Sequence, residues 1–141
     1  FPVCGSTTFI QSTVPICSSN SLYVPGCSGA GNALYENKNP YWYKFTCFQS
    51  GTLGFVITPN NPNDDYDWQL YDVTGLDPNA VFTNNNIIVS GNWSGSYGTT
   101  GASSSGVNYL QCASSPPDNK PRFAKMPFLC PGTVVEGRVK S

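Results

Sequence analysis

Histidine is absent from this chain of 141 residues, and charged side chains are scarce. Without an imidazole there is no Ser-His or Cys-His pair to activate a nucleophile. Charged residues make up 11% of the sequence, against roughly 25% in a typical soluble domain. The formal net charge is −1, so no basic surface favours nucleic acid as a partner. The sequence therefore predicts a protein that is not an enzyme, has no organic cofactor and has a neutral polar surface.

Long apolar runs and helical periodicity are also missing. The sequence has no run of about 18 apolar residues, so no membrane span is predicted. Its 12 prolines and 14 glycines recur at intervals that would interrupt most helices. Short strands separated by turn signals indicate an all-β fold, an antiparallel β-sandwich of the jelly-roll kind.

The cysteines form an even set without any CxxC pair. Zinc sites usually draw on close cysteine pairs or histidine, so three disulfides formed in an oxidising compartment are the predicted use. The sequence does not choose among the many possible pairings. Because it starts with Phe1 and has no signal-like apolar stretch, we expect a secreted product whose leader has been removed. The cysteines predicted to form bridges are Cys4, Cys17, Cys27, Cys47, Cys112 and Cys130.

One domain is predicted over residues 1–141. Residues 1–38 read as a loop-rich segment that contains cysteines. The core strands fall in residues 39–112, and a C-terminal loop and closing strand fall in residues 113–141.

Alternation of apolar and polar residues places the strands inside the core segment. Residues 41–48 and 52–58 alternate and are separated by a turn, which predicts a hairpin with Leu53, Phe55 and Ile57 on one face. Residues 65–72 predict a third strand with Tyr66, Trp68 and Leu70 on one face. A short turn or helical piece at 79–82 and a buried strand at 87–89 follow. The Gly/Ser/Thr-rich residues 91–106 predict a long surface loop, and strand candidates follow at 107–112 and 127–139.

An acidic turn precedes the third strand. Asp64, Asp65 and Asp67, with Asn63, supply the oxygen ligands that calcium prefers. The spacing does not match an EF-hand loop, and Asn, Asp and Pro are also ordinary turn residues. Asp65 and Asp67 should point the same way along a strand and Asp64 the opposite way, which weakens a site with three carboxylates. A calcium site and a capped polar turn therefore both remain open.

Two aromatic residues interrupt the Gly/Ser stretch. Trp93 and Tyr97 are candidates for a platform that stacks against sugar rings, although a Trp between glycines also commonly anchors a loop to the core. Asn92-Trp93-Ser94 is an N-glycosylation sequon, which predicts modification only in a cell that has the machinery. Trp42 and Trp68 lie in predicted strands and are expected in the core.

The order of several segments resembles a known group of surface modules. The segments are residues 39–46, 50–55, 64–72, 89–95 and 123–127. Together they resemble the β-sandwich modules of secreted and gliding-associated surface proteins of the Bacteroidetes, which are distantly similar to pre-peptidase C-terminal domains. The resemblance covers about residues 13–127. It implies a non-catalytic jelly-roll-like domain at the cell surface or in the medium, and some pre-peptidase relatives bind calcium, which supports the acidic turn as a candidate.

The C-terminal end departs from that pattern. Residues 128–139 differ from the long apolar strand and closing strand that the family has. Either a sheet edge stays open and is completed by another chain, or residues 133–139 close the sheet themselves. The predicted function is a structural or adhesive extracellular module, such as a subunit of a surface fibre or filament, whose partners are other copies of itself or other surface proteins. The alternative is a carbohydrate-binding module for polysaccharide, with a calcium-ordered acidic loop.

Overall fold

Strands supply nearly all the regular structure in the computed structural model, which describes residues 8–13, 16–24, 33–111 and 121–140. No α-helix occurs among these residues, so the all-β prediction is confirmed. The strands are β1 (Ser18–Val24), β2 (Ala33–Lys38), β3 (Tyr41–Thr46), β4 (Gly51–Thr52), β5 (Phe55–Ile57), β6 (Asp67–Asp72), β7 (Ile88–Asn92), β8 (Thr100–Ser103), β9 (Leu110–Gln111), β10 (Phe123–Lys125), β11 (Phe128–Leu129) and β12 (Val134–Lys140). Two short 3-10 helices, Pro78–Phe82 and Asn85–Ile87, connect β6 to β7.

The main sheet has five strands in the order β3-β12-β6-β7-β9. All neighbours are antiparallel except β7 and β9, which run parallel. The last strand lies in the middle, since Val139 is opposite Tyr41 on one side and Trp68 on the other. The C-terminal strand therefore closes the sheet itself, and this segment does not leave an edge for another chain. Among the described strands, β3 has only β12 beside it.

Shorter strands form the layer that faces the main sheet. β5 pairs antiparallel with β8, and β8 pairs parallel with β10. β4 and β11 form a separate antiparallel pair. The predicted hairpin between residues 41–48 and 52–58 is therefore wrong, because β3 pairs with β12 while β4 and β5 pair with β11 and β8. Alternation specifies which face a side chain takes, but it does not specify which strand lies alongside.

Apolar side chains from both layers meet in a first core cluster. Trp68 and Leu70 enter it from β6, and the predicted inward residues Leu53, Phe55 and Ile57 pack against it. The rings of Phe55 and Trp68 contact edge to face, with centroids 4.7 Å apart. The indole Nε1 of Trp68 donates to Thr100 Oγ1 at 3.1 Å, so the buried ring also has its polar atom satisfied. This sandwich-like packing agrees with the predicted class.

The opposite face of the main sheet is covered as well. Leu22 of β1 and Val81 of the first 3-10 helix pack there against Tyr71 and Val73, forming a second core cluster. Trp42 is partly buried against this cluster, as expected for a core aromatic residue. Because both faces of β6 are covered, its four central residues are all buried. The N-terminal segment therefore contributes a strand pair, β1–β2, to the fold.

Residues 91–106 are not the long surface loop that their composition predicts. They include the end of β7 and all of β8, and several of their side chains are buried. The small residues are used for close packing. A Cβ on Gly101 would lie 2.2 Å from the carbonyl oxygen of Phe55, and its φ of +145° also favours glycine. Glycine therefore allows β8 to approach β5 closely.

The described cysteines do not support the predicted disulfides. Cys17, Cys47 and Cys130 are free thiols in the structure. Cys47 packs against the first core cluster, and this burial, together with the charge of Asp72, raises the pKa of its thiol. The other predicted bridging residues, Cys4, Cys27 and Cys112, lie outside the described residues. No helix among the described residues has the length and apolar character that crossing a bilayer requires.

Candidate functional site

A row of polar side chains is buried on the β1 side of the main sheet. Gln69 of β6 and Arg138 of β12 are opposite one another in the sheet register. Both are 0% exposed. Buried polar groups require hydrogen-bond or charge partners, so their surroundings decide whether they hold the fold together or serve a ligand.

The amide of Gln69 is fully used inside the protein. Its Oε1 accepts from the indole Nε1 of Trp93 at 2.8 Å. Its Nε2 donates to Tyr71 Oη at 3.0 Å and to the backbone oxygen of Tyr23 at 3.1 Å. These bonds join β6 to the segment after β7 and to β1. Gln69 therefore connects the main sheet to the strand pair that covers it.

Arg138 lies above the ring of Trp93, with its guanidinium carbon 5.2 Å from the ring centroid. A guanidinium over an indole face at this distance is a cation–π contact. Burial lowers the pKa of Arg138 to about 10, although Tyr71 and Asp67 nearby favour its charged form. Burial also raises the pKa of the Tyr71 phenol to about 12. Both groups therefore keep their ordinary charge at neutral pH.

Asp67 begins β6 at the end of this row. Its pKa is raised to about 7, first by burial and then by the charge of Asp65. Lys140 and Arg138 act in the opposite direction, and Lys140 Nζ lies 3.8 Å from Asp67 Oδ2. Together, burial and Asp65 raise the pKa of Asp67 by more than Lys140 and Arg138 lower it.

The predicted calcium ligands do not converge into one cluster. Within the described residues, no three side chains of the His, Cys, Asp or Glu type lie close enough together to hold a metal ion. Asp67 has Lys140 as an ion-pair partner. Asn63 instead takes part in the capped polar turn that was the alternative, since its backbone nitrogen donates to Asn61 Oδ1 at 3.1 Å. Calcium binding stays a prediction.

Trp93 takes the anchoring role and is not an open stacking platform. Its side chain is 3% exposed, its Nε1 donates to Gln69 Oε1, and the Arg138 guanidinium lies over its ring. The sequon residue Asn92 is 1% exposed. Asn92 Nδ2 donates to Pro121 O at 3.0 Å, and its Oδ1 accepts from Ser94 N at 2.9 Å. The folded protein therefore does not present Asn92 for glycosylation.

Two of the candidate loops meet at the protein surface. The backbone nitrogen of Gly98 donates to the carbonyl oxygen of Asp64 at 3.0 Å. A Cβ on Gly98 would lie 3.4 Å from the carbonyl oxygen of Pro62, so the two backbones run close together. Arg122 Nη1 donates to Tyr97 O at 3.4 Å. We call residues 60–64, residues 96–98 and Arg122 the loop surface.

The loop surface presents side chains of several chemistries to solvent. Tyr97 is 45% exposed, and Arg122 is exposed beside it. Asn61 and Asn63 are exposed on the neighbouring turn. An aromatic face, amides and a guanidinium beside one another are the groups that hydroxyl-rich or planar partners contact.

The sequence pattern does not indicate that Gln69 and Arg138 are buried. Both lie in strands where polar residues alternate with apolar ones, a pattern that ordinarily predicts a solvated face. The available signal was indirect. Leu22, Tyr23 and Val24 form a short apolar run, and the strand that contains it, β1, covers the polar face of the main sheet.

The chain was compared with protein-family models, with curated proteins and with solved structures, and none matches. The resemblance to Bacteroidetes surface modules therefore stays a prediction.

Proposed function

We propose that this chain is a non-enzymatic extracellular module, jelly-roll-like in topology, that serves as a structural or adhesive element. The observation that carries the proposal is the division of roles among its polar residues. Gln69, Trp93 and Arg138 are used in the interior to hold the main sheet and its cover together. An exposed aromatic ring, two amides and a guanidinium lie together on the loop surface, where the Gly98–Asp64 hydrogen bond fixes one loop against the other.

A carbohydrate is the second candidate partner, and one observation favours it. Tyr97 is held between the bonded residues Gly98 and Arg122 while nearly half of its surface stays exposed. These bonds fix the backbone at Tyr97 before binding, which lowers the conformational entropy lost when a sugar ring stacks on its side chain. Trp93, the other predicted stacking residue, plays only the supporting role of holding this loop.

Affinity electrophoresis in native gels tests the adhesive surface. Soluble xylan, mixed-linkage β-glucan and alginate are cast into separate gels, and the mobility of the protein is compared with that in a gel without polysaccharide. The informative variant is Tyr97→Ala, and the matched control is Tyr109→Ala, because Tyr109 is 46% exposed but lies outside the loop surface. Retardation that Tyr97→Ala abolishes and Tyr109→Ala preserves supports carbohydrate binding at the loop surface.

Native mass spectrometry of the non-reduced protein tests the structural alternative. Defined multimers without any polysaccharide retardation support an assembling subunit, whereas a monomer that no polysaccharide retards contradicts both forms of the proposal.

The same spectra, recorded with added calcium and again with a chelator, test the calcium prediction. Intact mass before and after thiol alkylation counts the disulfides, and a count of three would support the predicted bridges.

A further inference from the structure

A cleft lies beside the turn that follows β6, apart from the loop surface. It has a volume of about 300 Å³ and is lined by Asp72, Thr74, Leu76, Asn86, Ile87 and Val89. Ligand pockets in proteins span roughly 300–1,000 Å³, so this cleft suits a small ligand or one side chain. Its walls combine three aliphatic residues with one carboxylate and one amide.

The carboxylate of Asp72 is held in a fixed position. Its Oδ1 accepts from Thr74 N at 3.0 Å and from Thr74 Oγ1 at 2.5 Å. Thr74 Oγ1 in turn accepts from the backbone nitrogen of Val134 at 2.9 Å, which ties the turn to β12. The acceptor is therefore oriented before any ligand arrives, which lowers the entropic cost of binding.

The charge of the cleft favours a cation. Asp72 alone is charged among the described residues that line it. Ile87, Leu76 and Val89 offer aliphatic surface next to that carboxylate, and Asn86 offers an amide at the rim. A group that carries a positive charge at the end of a short aliphatic chain matches both parts.

We propose that this cleft binds a primary alkylammonium group, the chemistry shared by a lysine side chain and a small amine. The ammonium donates to the Asp72 carboxylate, and the methylene groups lie against Leu76 and Ile87. The cleft shares no residue with the loop surface, so this proposal is tested independently of the polysaccharide experiment.

The test is an NMR titration of ¹⁵N-labelled protein at constant ionic strength. The probe is n-butylammonium chloride, and 1-butanol is the neutral comparison of nearly the same shape. We expect shifts concentrated at residues 72–76 and 86–89, with a dissociation constant on the order of 1 mM. Equal shifts from 1-butanol, or no shifts at these residues, would overturn the proposal.

Two variants separate the charge from the shape of the cleft. Asp72→Asn keeps an oxygen that can accept from Thr74 but removes the charge, and we expect it to weaken butylammonium binding at least about tenfold. Asp77→Asn is the matched control, because Asp77 does not line the cleft, its Oδ1 caps the first 3-10 helix, and asparagine caps equally well. An unchanged affinity in Asp72→Asn would contradict the proposal.

Leu76→Lys supplies a second measurement if Asp72→Asn does not fold. Leu76 is partly exposed at the cleft, so a tethered ammonium there should compete with the probe. Butylammonium shifts that persist in Leu76→Lys would count against the site. N-acetyl-lysine methylamide, titrated in parallel, identifies the source: binding comparable to butylammonium indicates a lysine side chain, and clearly weaker binding indicates a free amine.

Discussion

Replacing Asp67 by asparagine should make the protein more stable at neutral and alkaline pH. Asp67 is largely buried, and its pKa rises from 3.8 to about 7, with desolvation as the largest cause. The folded protein therefore binds the Asp67 proton more tightly than the unfolded chain does. Asparagine has nearly the same shape and carries no charge, so it removes the cost of burying the carboxylate.

The sign and size of the effect follow from proton linkage. The stabilisation is fully present below the unfolded pKa near 4, is lost as the pH rises toward 7, and stays lost above it. A rise of about three pKa units corresponds to about 4 kcal/mol, at about 1.4 kcal/mol per unit. This figure already includes the opposing effects of Lys140 and Arg138.

Urea unfolding at several pH values between 4 and 8.5 measures this difference, with the fluorescence of the buried Trp68 and Trp93 as the signal. The gap between Asp67→Asn and the wild type should widen with pH and level off above pH 7. Asp77 is an exposed carboxylate that caps a 3-10 helix. The difference in unfolding free energy between Asp77→Asn and the wild type should therefore not change with pH. A gap that does not change with pH, or a variant less stable than the wild type at pH 8, would refute the reasoning.

Two further pairs of variants test the close packing and the buried polar row by the same unfolding assay. In Gly106→Ala the new Cβ would lie 2.0 Å from the carbonyl oxygen of Ala124, and we expect a loss of at least about 1–3 kcal/mol. Gly51→Ala, with nothing within 4 Å of the new Cβ, should change stability little, and equal effects would contradict the packing argument. Trp93→Ala should cost about 3–5 kcal/mol because it removes a buried ring and leaves Gln69 Oε1 without its donor. Tyr97→Ala should stay within about 0.5 kcal/mol of the wild type, and a similar loss in both variants would show that the loop is held differently.

The sequence predicts the faces of the strands better than it predicts their partners. Period-two alternation correctly placed Leu53, Phe55 and Ile57 on one face and Trp68 with Leu70 on another, because each side chain only has to find an apolar layer. The partner of β3 could not be read in the same way. It is β12, far along the chain, and the local turn after residue 48 gives no sign of that pairing.

In the candidate site, too, local features could be predicted and features that depend on distant segments could not. The exposure of Tyr97 follows from its place in a polar Gly/Ser stretch. The burial of Trp93 fits the anchoring alternative, whereas the burial of Asn92 was not predicted, because it depends on a contact with Pro121 from a distant segment. Glycine and serine suggested exposure there, whereas their small size is what allows strands to approach closely.

The central position of β12 has a consequence for how the protein is made. β3 and β6 are synthesised long before the strand that separates them exists. Until Val134–Lys140 arrives, both of its neighbours have unpaired backbone groups, and the row that includes Gln69 lacks Arg138. Pairings between such distant segments form slowly, and unpaired strands are prone to join other chains. We therefore expect the main sheet to form late, after nearly all of this domain has been released, so that a chaperone holding the unfolded chain until then would increase the yield of folded protein.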